Sequence, residues 1–365
     1  MKASLGKSKG LKGFREIKGS SEIKGLKGFK GLKKENRLKR VSPLVFKLAE
    51  FIRLTSSSLP DDTERALKRA LMREMGEFKG SSEINGLKGF NGLREINGLK
   101  GFKGLSESKG LKEPGPVTNS PAVTVLKTIL ENVALARRQG TPLCQDTGTL
   151  TFFVDESLRR KVTPEILCKA VALATEKGWL RRNTIDPLSG KSIDSNVCPG
   201  APVVHYVNGR KAPDGSGGRV SLLMKGGGSE NMSIQFSLPD ASLGAGRDLE
   251  GVRRAVLAAG QRAQGFGCAP GILGVCIGGD RASGFEEAKH QLMRDLGDKN
   301  PNPILARLER RILNEANSLG IGPMGLGGNT TLLAIKIGSR PRVPASFFVT
   351  VAYLCWAARR RTICL

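Results

Sequence analysis

Three cysteines lie in loops where their thiol groups could carry chemistry. Cys144 stands in the polar run Pro-Leu-Cys-Gln-Asp-Thr-Gly, Cys268 stands in Gly-Phe-Gly-Cys-Ala-Pro-Gly, and Cys355 directly precedes Trp356. Loops at the ends of helices and strands can bring thiolates from distant parts of a chain to one metal cluster. The alternative is three unrelated cysteines in the protein interior, because free cysteine is among the most buried residue types.

The remaining cysteines and the histidines argue against two other kinds of site. The chain has seven cysteines, no Cys-x-x-Cys pair, and only two histidines, His205 and His290. The usual ligand pairs of a structural zinc site are therefore missing. The first residues contain no hydrophobic stretch long enough for a secretory signal, so we expect no disulfide framework. Cys168 falls on the apolar side of a predicted helix, which favours a packing role.

Two glycine-rich turns offer backbone N–H groups that can approach an anion. Lys-Gly-Gly-Gly-Ser-Glu-Asn at 225–231 follows a predicted strand, and the run 320–331 lies between a predicted helix and a strand. The second run contains a formal Gly-x-Gly-x-x-Gly, but the dinucleotide-binding fingerprint follows a strand, and this one follows a helix. No lysine stands where a P-loop requires one. The remaining signal is a set of amides that suits a carboxylate as well as a phosphate.

Helical and strand patterns follow one another without a regular βαβ rhythm. The apolar periodicity predicts helices at about 44–52, 61–71, 121–139, 164–177, 248–264, 284–296 and 303–318. Strand-like runs are Thr149–Val154, Val203–Val207, Val220–Met224, Thr330–Ile337 and Phe347–Leu354. This order predicts an α+β fold, in which a helix-rich domain carries a mixed or antiparallel sheet.

Capping signals mark the ends of several predicted helices. Ser120 and Thr163 each stand as an N-cap before a proline at the first helical position, and Gly140 ends the first of these two helices. Asp61 and Asp62 follow a proline, and we predict that they cap the helix at 61–71.

Basic, glycine-rich repeats carry much of the formal net charge of +26. Residues 1–40 contain 14 Lys and Arg against 3 Glu. Gly-Leu-Lys-Gly-Phe occurs four times, at 10–14, 25–29, 86–90 and 98–102. Each repeat has too few apolar groups to bury a face, so we predict disordered low-complexity sequence. The predicted domains are a basic repeat at 1–40, a helical N-terminal part of the catalytic domain at 41–77, a second repeat block at 78–116, and the catalytic domain at 117–365.

The basic tail leaves nucleic-acid binding open as an alternative function, since lysine-rich arms neutralise phosphates. Aromatic residues make up only 5% of the chain, which argues against RNA modules that stack bases. No apolar run approaches the roughly 18 residues of a membrane span, so we expect no integral membrane protein. We therefore predict a cytoplasmic protein whose chemistry lies in 117–365, and we do not expect nucleic acid as its main partner.

Four motifs follow one another in an order that is typical of one enzyme family. They are Cys-Gln-Asp-Thr-Gly, Gly-Gly-Gly-Ser-Glu-Asn, Gly-Ile-Gly-Pro-Met-Gly-Leu-Gly-Gly, and the Cys-Trp pair near the end of the chain. From about Pro142 to Trp356 the chain resembles the α-type iron–sulfur domain of the class I fumarase and L(+)-tartrate dehydratase family. The helices at 41–77 and 121–139 would form its N-terminal part.

The resemblance implies a cofactor and a reaction. In that family three cysteines hold a 4Fe-4S cluster, and the matching positions are Cys144, Cys268 and Cys355. Three ligands leave one iron without a protein thiolate, so that this iron can act as a Lewis acid on a substrate hydroxyl. The implied reaction is reversible loss of water from a 2-hydroxy dicarboxylate, either malate to fumarate or tartrate to oxaloacetate, and the sequence does not choose between the two.

Further site residues follow from the same resemblance. Gln145 and Asp146 match a pair that hydrogen-bonds the substrate, and the resemblance implies that both are catalytic residues, although an ordinary turn-capping role for the pair is the alternative. Arg181 matches an arginine that clamps a carboxylate, a role that suits a bidentate guanidinium. Taken alone, it would more often be a surface charge. Gly227 matches a backbone contact beside the substrate, and Asn329 stands where relatives have Lys or Asn.

The chain departs from the family pattern at three positions. Val343 stands in Arg-Val-Pro-Ala-Ser, where the family commonly has a histidine that is expected to touch substrate, and valine can neither donate nor accept a hydrogen bond there. This departure supports a second reading, a catalytically impaired relative. Cys198 and Cys276 stand where glycine is usual, and we predict that neither is a ligand.

The resemblance also implies a partner. In the family a β-type domain, on the same chain or on a partner, supplies further catalytic and carboxylate-binding residues. We therefore predict a chain that needs a β-type hydro-lyase subunit and forms a higher oligomer.

Overall fold

The computed structural model describes residues 41–76, 120–208 and 217–365. Within these residues, helices and strands form the predicted α+β arrangement, built on two sheets instead of one. The repeat blocks at 1–40 and 78–116 lie outside the described residues, so their disorder and any role of the basic tail stay predictions. No helix in the described ranges is long and apolar enough to cross a membrane.

The bounds of the elements agree with most of the sequence predictions. The helices are α1 Pro43–Ser57, α2 Asp61–Glu74, α3 Pro121–Gln139, α4 Pro164–Glu176, α5 Gly227–Asn231, α6 Leu249–Ala263, α7 Arg281–Gln291 and α8 Pro303–Asn317. The strands are β1 Thr149–Asp155, β2 Val203–Val207, β3 Arg219–Lys225, β4 Ile234–Ser237, β5 Gly271–Gly278, β6 Leu332–Arg340, β7 Phe348–Leu354 and β8 Arg359–Cys364.

The predicted caps of α3 and α4 are confirmed. The Ser120 side chain accepts a hydrogen bond from the Val123 N–H, and Thr163 accepts one from Ile166. Gly140 ends α3 with φ 64°, a conformation that glycine adopts without steric cost. Local hydrogen bonds of this kind depend on neighbouring residues alone, which is why the sequence predicts them well.

The predicted capping of α2 is wrong. Its N-cap is Pro60, and no side chain caps the helix there. Asp62 is instead buried, where its carboxylate pairs with the Arg360 guanidinium and accepts the Leu296 N–H at 2.8 Å. The Asp62 carboxylate thus binds Arg360, almost three hundred residues away in sequence, instead of capping the helix.

Each sheet has four strands and contains one parallel pair. The first has the order β2-β1-β3-β8, with β1 and β2 parallel. The second has the order β4-β7-β5-β6, with β5 and β6 parallel. In the second sheet β5 and β7 run antiparallel, so that Ile272 lies opposite Leu354 and Ile277 opposite Val349. The start of β5 and the end of β7 therefore meet at one end of this sheet.

The sequence analysis did not predict three of the strands. The central strand β5 contains three glycines and is buried along nearly its whole length, so it shows no alternation of apolar and polar residues. The edge strand β8 begins with three consecutive arginines, a composition that is typical of a solvated segment. The short strand β4 has four residues.

Helices cover the sheets and enclose three apolar clusters. One cluster joins α6 and α8 to the second sheet, and another joins α7 to the same strands. The third cluster joins α2 to α3 and includes the fully buried Leu67 and Leu126. Cys144, Cys355 and Trp356 pack against this third cluster, so α2 and α3 support the loops in which these cysteines stand.

Candidate active site

The loop between α3 and β1 carries Cys144, Gln145 and Asp146. Leu143, the residue before Cys144, is buried and anchored at both backbone groups. The Leu143 N–H donates to a carbonyl in the last turn of α1 at 2.8 Å, and the Asn132 amide of α3 donates to the Leu143 carbonyl at 3.2 Å. Two helices thereby fix the point from which the predicted site residues project.

The Asp146 carboxylate accepts three hydrogen bonds. The Gly148 N–H and the Asn183 amide donate to Oδ1 at 2.9 and 3.0 Å, and the Gly227 N–H donates to Oδ2 at 2.6 Å. A Cβ at Gly226 would come within 2.8 Å of Oδ2, so a side chain at this position would push the carboxylate away. Donors from three separate segments therefore hold Asp146 in one orientation.

Arg181 is brought to the same loop through its backbone. The Arg181 N–H donates to the Thr147 hydroxyl at 2.9 Å, and that hydroxyl donates to the Arg181 carbonyl at 2.9 Å. The side chains of Arg181 and Gln145 are exposed, and within the described ranges neither makes a hydrogen bond or ion pair. Both side chains are therefore free to meet a ligand beside the Asp146 carboxylate.

The loop that precedes β5 brings Cys268 to Cys355. The Trp356 N–H donates to the Cys268 carbonyl at 3.3 Å, so the residue after Cys355 contacts Cys268 directly. A Cβ at Gly267 would lie 2.4 Å from the Tyr353 ring, so only glycine lets this loop lie flat on that buried tyrosine. Cys268 itself has φ 55°, a left-handed conformation that is uncommon outside glycine and typical of functional sites.

The three thiols influence one another electrostatically. Burial raises the pKa of the Cys355 thiol, whereas Arg359 and a hydrogen bond from Ser229 act in the opposite direction. The pKa of Cys268 is also raised, first by burial and then by the neighbouring thiols of Cys355 and Cys144. Three thiols that oppose one another's ionisation are held together as thiolates most readily by a cation between them.

Two buried basic side chains stand beside this group. Lys225 is 1% exposed, and its Nζ donates to Glu230 and to Ser233, both at 2.9 Å. Burial lowers the pKa of Lys225 to about 8, although the Glu230 carboxylate counteracts the effect. Arg359 is likewise 1% exposed, and its Nη1 donates to the Asp146 carbonyl at 2.6 Å.

Three thiols are the donor type that an iron–sulfur cluster takes. In the described part of the chain, no group of three or more His, Cys, Asp or Glu side chains converges as one metal ion would require. The ligands of a 4Fe-4S cluster bind different iron atoms, so their sulfur atoms do not converge on one point. Three thiols, a serine donor and two buried cations suit an anionic cluster.

The other cysteines lie away from this group. Cys276 is fully buried in the middle of β5, and burial raises the pKa of its thiol to about 12. Cys198 lies in an isolated bridge with Ala201, and Cys168 lies within α4. The packing role of Cys168 and the exclusion of Cys198 and Cys276 as ligands stay predictions.

Asn329 is tied to α2 and does not stand free in the site. Its N–H donates to Glu74 at 2.7 Å, and its side-chain amide lies 3.3 Å from the same carboxylate. The glycine-rich turn at 320–331 is therefore anchored to the helix that supports the cysteine loops.

Val343 lies at the opposite end of the second sheet from Cys355. It belongs to the turn before β7, and Cys355 follows β7 directly. The seven residues of this strand span about 23 Å. A residue at 343 therefore cannot reach a substrate at the cysteines of its own chain.

Four contributors to the site were missed by the sequence reasoning: Asn183, Ser229, Lys225 and Arg359. Ser229 and Lys225 belong to the glycine-rich turn whose backbone was noticed, and a polar side chain within such a turn is the signal that could have found them. Asn183 stands two residues after Arg181, and nothing local marks it. Arg359 was given no role in the sequence analysis, because nothing in its run of three arginines marks one of them as a site residue.

The protein is thus an α+β protein with a polar site built from loops. The site groups three thiols with an oriented carboxylate. The family model described as fumarate hydratase (Fumerase) matches residues 115–364. The chain is 48% identical over 244 residues to a Geobacillus stearothermophilus protein named as a class I fumarate hydratase, a match that covers 66% of this chain. The chain spans about half of that relative, 47% of its length.

A second relative is named L(+)-tartrate dehydratase subunit alpha, from Escherichia coli K12. It is 32% identical over 251 residues, which cover 67% of this chain and 80% of the relative. A further relative, from Methanocaldococcus jannaschii and also named for an L(+)-tartrate dehydratase alpha subunit, is 34% identical over 243 residues, 64% of this chain and 82% of the relative. The chain belongs to the fumarate hydratase family, and the resemblance inferred from its four motifs is confirmed.

Proposed function

We propose that the chain is the α-type part of a 4Fe-4S hydro-lyase that reversibly removes water from a 2-hydroxy dicarboxylate. Malate with fumarate, or tartrate with oxaloacetate, are the substrate pairs that the names of the relatives support. The observation that carries this proposal is the grouping of three distant cysteines around the loop of Asp146.

Cys144, Cys268 and Cys355 are the proposed cluster ligands. When bound, a cluster with three protein thiolates supplies a Lewis acid for the substrate hydroxyl. The protein holds its ligands on rigid supports, because two of them pack against the α2–α3 cluster and the third follows Gly267, which lies against Tyr353. Such support keeps the thiols close before iron arrives.

Asp146 is the proposed catalytic carboxylate. Its three donors hold it beside the thiols, so that it can orient a substrate or exchange a proton with it. Gln145 and Arg181 are the proposed substrate-binding side chains. An arginine fork matches a carboxylate of the substrate, and Gln145 supplies an amide next to the catalytic residue. The amide of Gly227 orients Asp146 and lines the same opening.

A β-type partner is proposed to close this opening. Gln145, Arg181 and Cys268 are all exposed, whereas catalysis by charge requires a site from which water is excluded. The tartrate dehydratase relatives are named as alpha subunits, which supports a second subunit. A higher oligomer and a cytoplasmic location stay predictions.

The test is a hydration assay with the full chain. The chain is reconstituted anaerobically with iron and sulfide, mixed with a β-type subunit from a relative, and given malate, fumarate and tartrate in turn. We expect turnover only when cluster and partner are both present. Turnover of none of the three, or equal turnover after chelation of the iron, would contradict the proposal. Full activity of the chain alone would remove the partner requirement.

A further inference from the structure

Arg359 is a buried arginine without an acidic partner in the described ranges. It opens strand β8, which begins with three arginines in a row. Arg360 pairs with the buried Asp62, and Arg361 donates to the Ser58 hydroxyl at 2.8 Å. Arg359 is the most buried of the three at 1% exposed, and no carboxylate of the described residues lies within salt-bridge distance of it.

The contacts of Arg359 leave part of its hydrogen-bonding capacity unused. Nη1 donates to the Asp146 carbonyl at 2.6 Å, whereas Nε is buried and has no partner, as is also true of the Nε atoms of Arg360 and Arg361. Nη2 stands 3.8 Å from the position that a Cβ would take at Gly226. The guanidinium therefore lies between the loop of Asp146 and the glycine-rich turn, where the two border the site.

A buried cation without a counter-charge destabilises the folded state. Arg359 follows Cys355 by four residues and donates to the carbonyl of Asp146, two residues after Cys144, so its guanidinium lies between the segments that carry two of the thiols. Thiolates and sulfides of a bound cluster would supply the missing counter-charge at this place. The unpaired guanidinium is thus explained by the group that the site is built to hold.

We propose that Arg359 is the buried counter-cation of the cysteine-bound cluster and the positioning residue for Asp146. This inference rests on the proposed function, since it requires a cluster. The reduction potential of an iron–sulfur cluster depends on the net charge around it and on hydrogen bonds near its sulfurs. A fixed positive charge stabilises the more reduced, more negative cluster. Arg359 therefore raises the potential and slows the loss of iron.

Three variants of the full chain separate charge from packing. Arg359→Met keeps much of the volume without the charge, and Arg359→Lys keeps the charge without the planar fork. Arg361→Met is the matched control, because it removes the same charge from the same strand two residues further on. Each variant is reconstituted anaerobically, its iron and sulfide are counted, and the potential of its cluster is measured by titration with a reductant.

We expect Arg359→Met to shift the potential to more negative values and to lose iron several-fold faster in air than wild type. Arg359→Lys should restore most of the potential, and Arg361→Met should change it least. If Arg359→Met does not fold, Arg359→Gln serves the same comparison, because it also removes the charge. If the uncharged variant and the wild type have the same reduction potential, the inference is overturned. If the wild-type chain takes up no cluster, the proposed function is overturned instead.

Discussion

The second sheet has one end at which β5 begins and β7 ends, and another at which β5 and β6 end and β7 begins. The first, here named the cysteine end, presents Cys268 and Cys355. The second, here named the arginine end, presents Arg340 and Arg342. The two ends belong to the same strands, so any difference between them comes from the side chains and loops that each one carries.

Charges at the arginine end are paired. Arg340 donates to Glu287 at 3.1 Å and lies 3.9 Å from Glu286, and Arg342 donates to three carbonyls of its own turn. At the cysteine end, Gln145 and Arg181 have no partner among the described side chains, and the Nε of Arg359 is buried alone. Groups that are already satisfied stabilise a fold, whereas unsatisfied groups are typical of a site that awaits a ligand.

The largest effect is expected from loss of a cysteine at the cysteine end. Cys268→Ala removes a proposed ligand, so the reconstituted chain should lose its cluster and all hydro-lyase activity. Cys198→Ala is the matched control, since this cysteine also stands in a loop, and it should keep both. The measurement is iron and sulfide per chain, followed by the hydration assay. A full cluster in Cys268→Ala would refute the ligand assignment.

The next largest effect is expected from Asp146→Asn. This change keeps the shape of the side chain but removes its ability to take up a proton, so turnover with a β-type partner should fall by roughly 10²–10⁴. The iron content should stay unchanged, because Asp146 is not a proposed ligand. Asp240→Asn is the control, since Asp240 also accepts a backbone N–H in a turn, at 3.0 Å from Ser242. An unchanged rate in Asp146→Asn would exclude a catalytic role.

Asp62→Ala is expected to lower the free energy of unfolding without changing a residue of the candidate active site. It leaves the Arg360 guanidinium buried and unpaired, and breaking a buried pair in this way costs about 3–5 kcal/mol. The free energy of unfolding in urea measures the loss. Asp61→Ala is the control, because Asp61 is exposed and surface changes stay within about 0.5 kcal/mol. If both variants unfold at the same urea concentration, the Asp62–Arg360 pair does not stabilise the fold.

A smaller, pH-dependent effect is expected near the arginine end. Burial lowers the pKa of His205 below its ordinary value of 6.5, and Lys289, Arg340 and His290 act in the same direction against Glu286. Below pH 6.5 the unfolded chain therefore binds a proton that the folded chain binds less readily. The free energy of unfolding should fall as the pH drops from 7 toward 5. His205→Gln should weaken this dependence, and an identical pH profile would show that His205 does not cause it.

The smallest effect is expected from Val343→His. The change introduces the histidine that the family resemblance implies at this position, but position 343 lies across the length of β7 from Cys355. Activity of a single chain with its β-type partner should therefore stay unchanged in the hydration assay. A large gain would mean that this position reaches a substrate in some other way, through a second copy of the chain or through the partner.

Much of the fold followed from local patterns, and the failures have physical causes. Ser120 and Thr163 were assigned correctly because a cap depends on its neighbours in sequence. The strand β5 was missed because a strand buried between two others and between helices shows no alternation. The strand that begins with Arg359–Arg361 was not predicted, because the partners of these arginines, Asp146, Asp62 and Ser58, lie far away in sequence.

The motif resemblance predicted more residues of the candidate site than the patterns of residue types alone did. The motif resemblance named Cys144, Cys268 and Cys355, and the structure brings these three residues into one neighbourhood. Their roles as ligands stay a prediction. Residue patterns alone gave no reason to group Asn183 or Arg359 with them, because an orienting amide and a buried cation carry no local signature.

One measurement tests the central claim most directly: iron and acid-labile sulfide per chain after anaerobic reconstitution of the full wild-type protein. If the three thiols hold one cluster, about four irons and four sulfides should be found per chain. Replacement of Cys144, Cys268 and Cys355 together by alanine should reduce both numbers to background. Equal iron and sulfide in the wild type and in this triple variant would contradict the account.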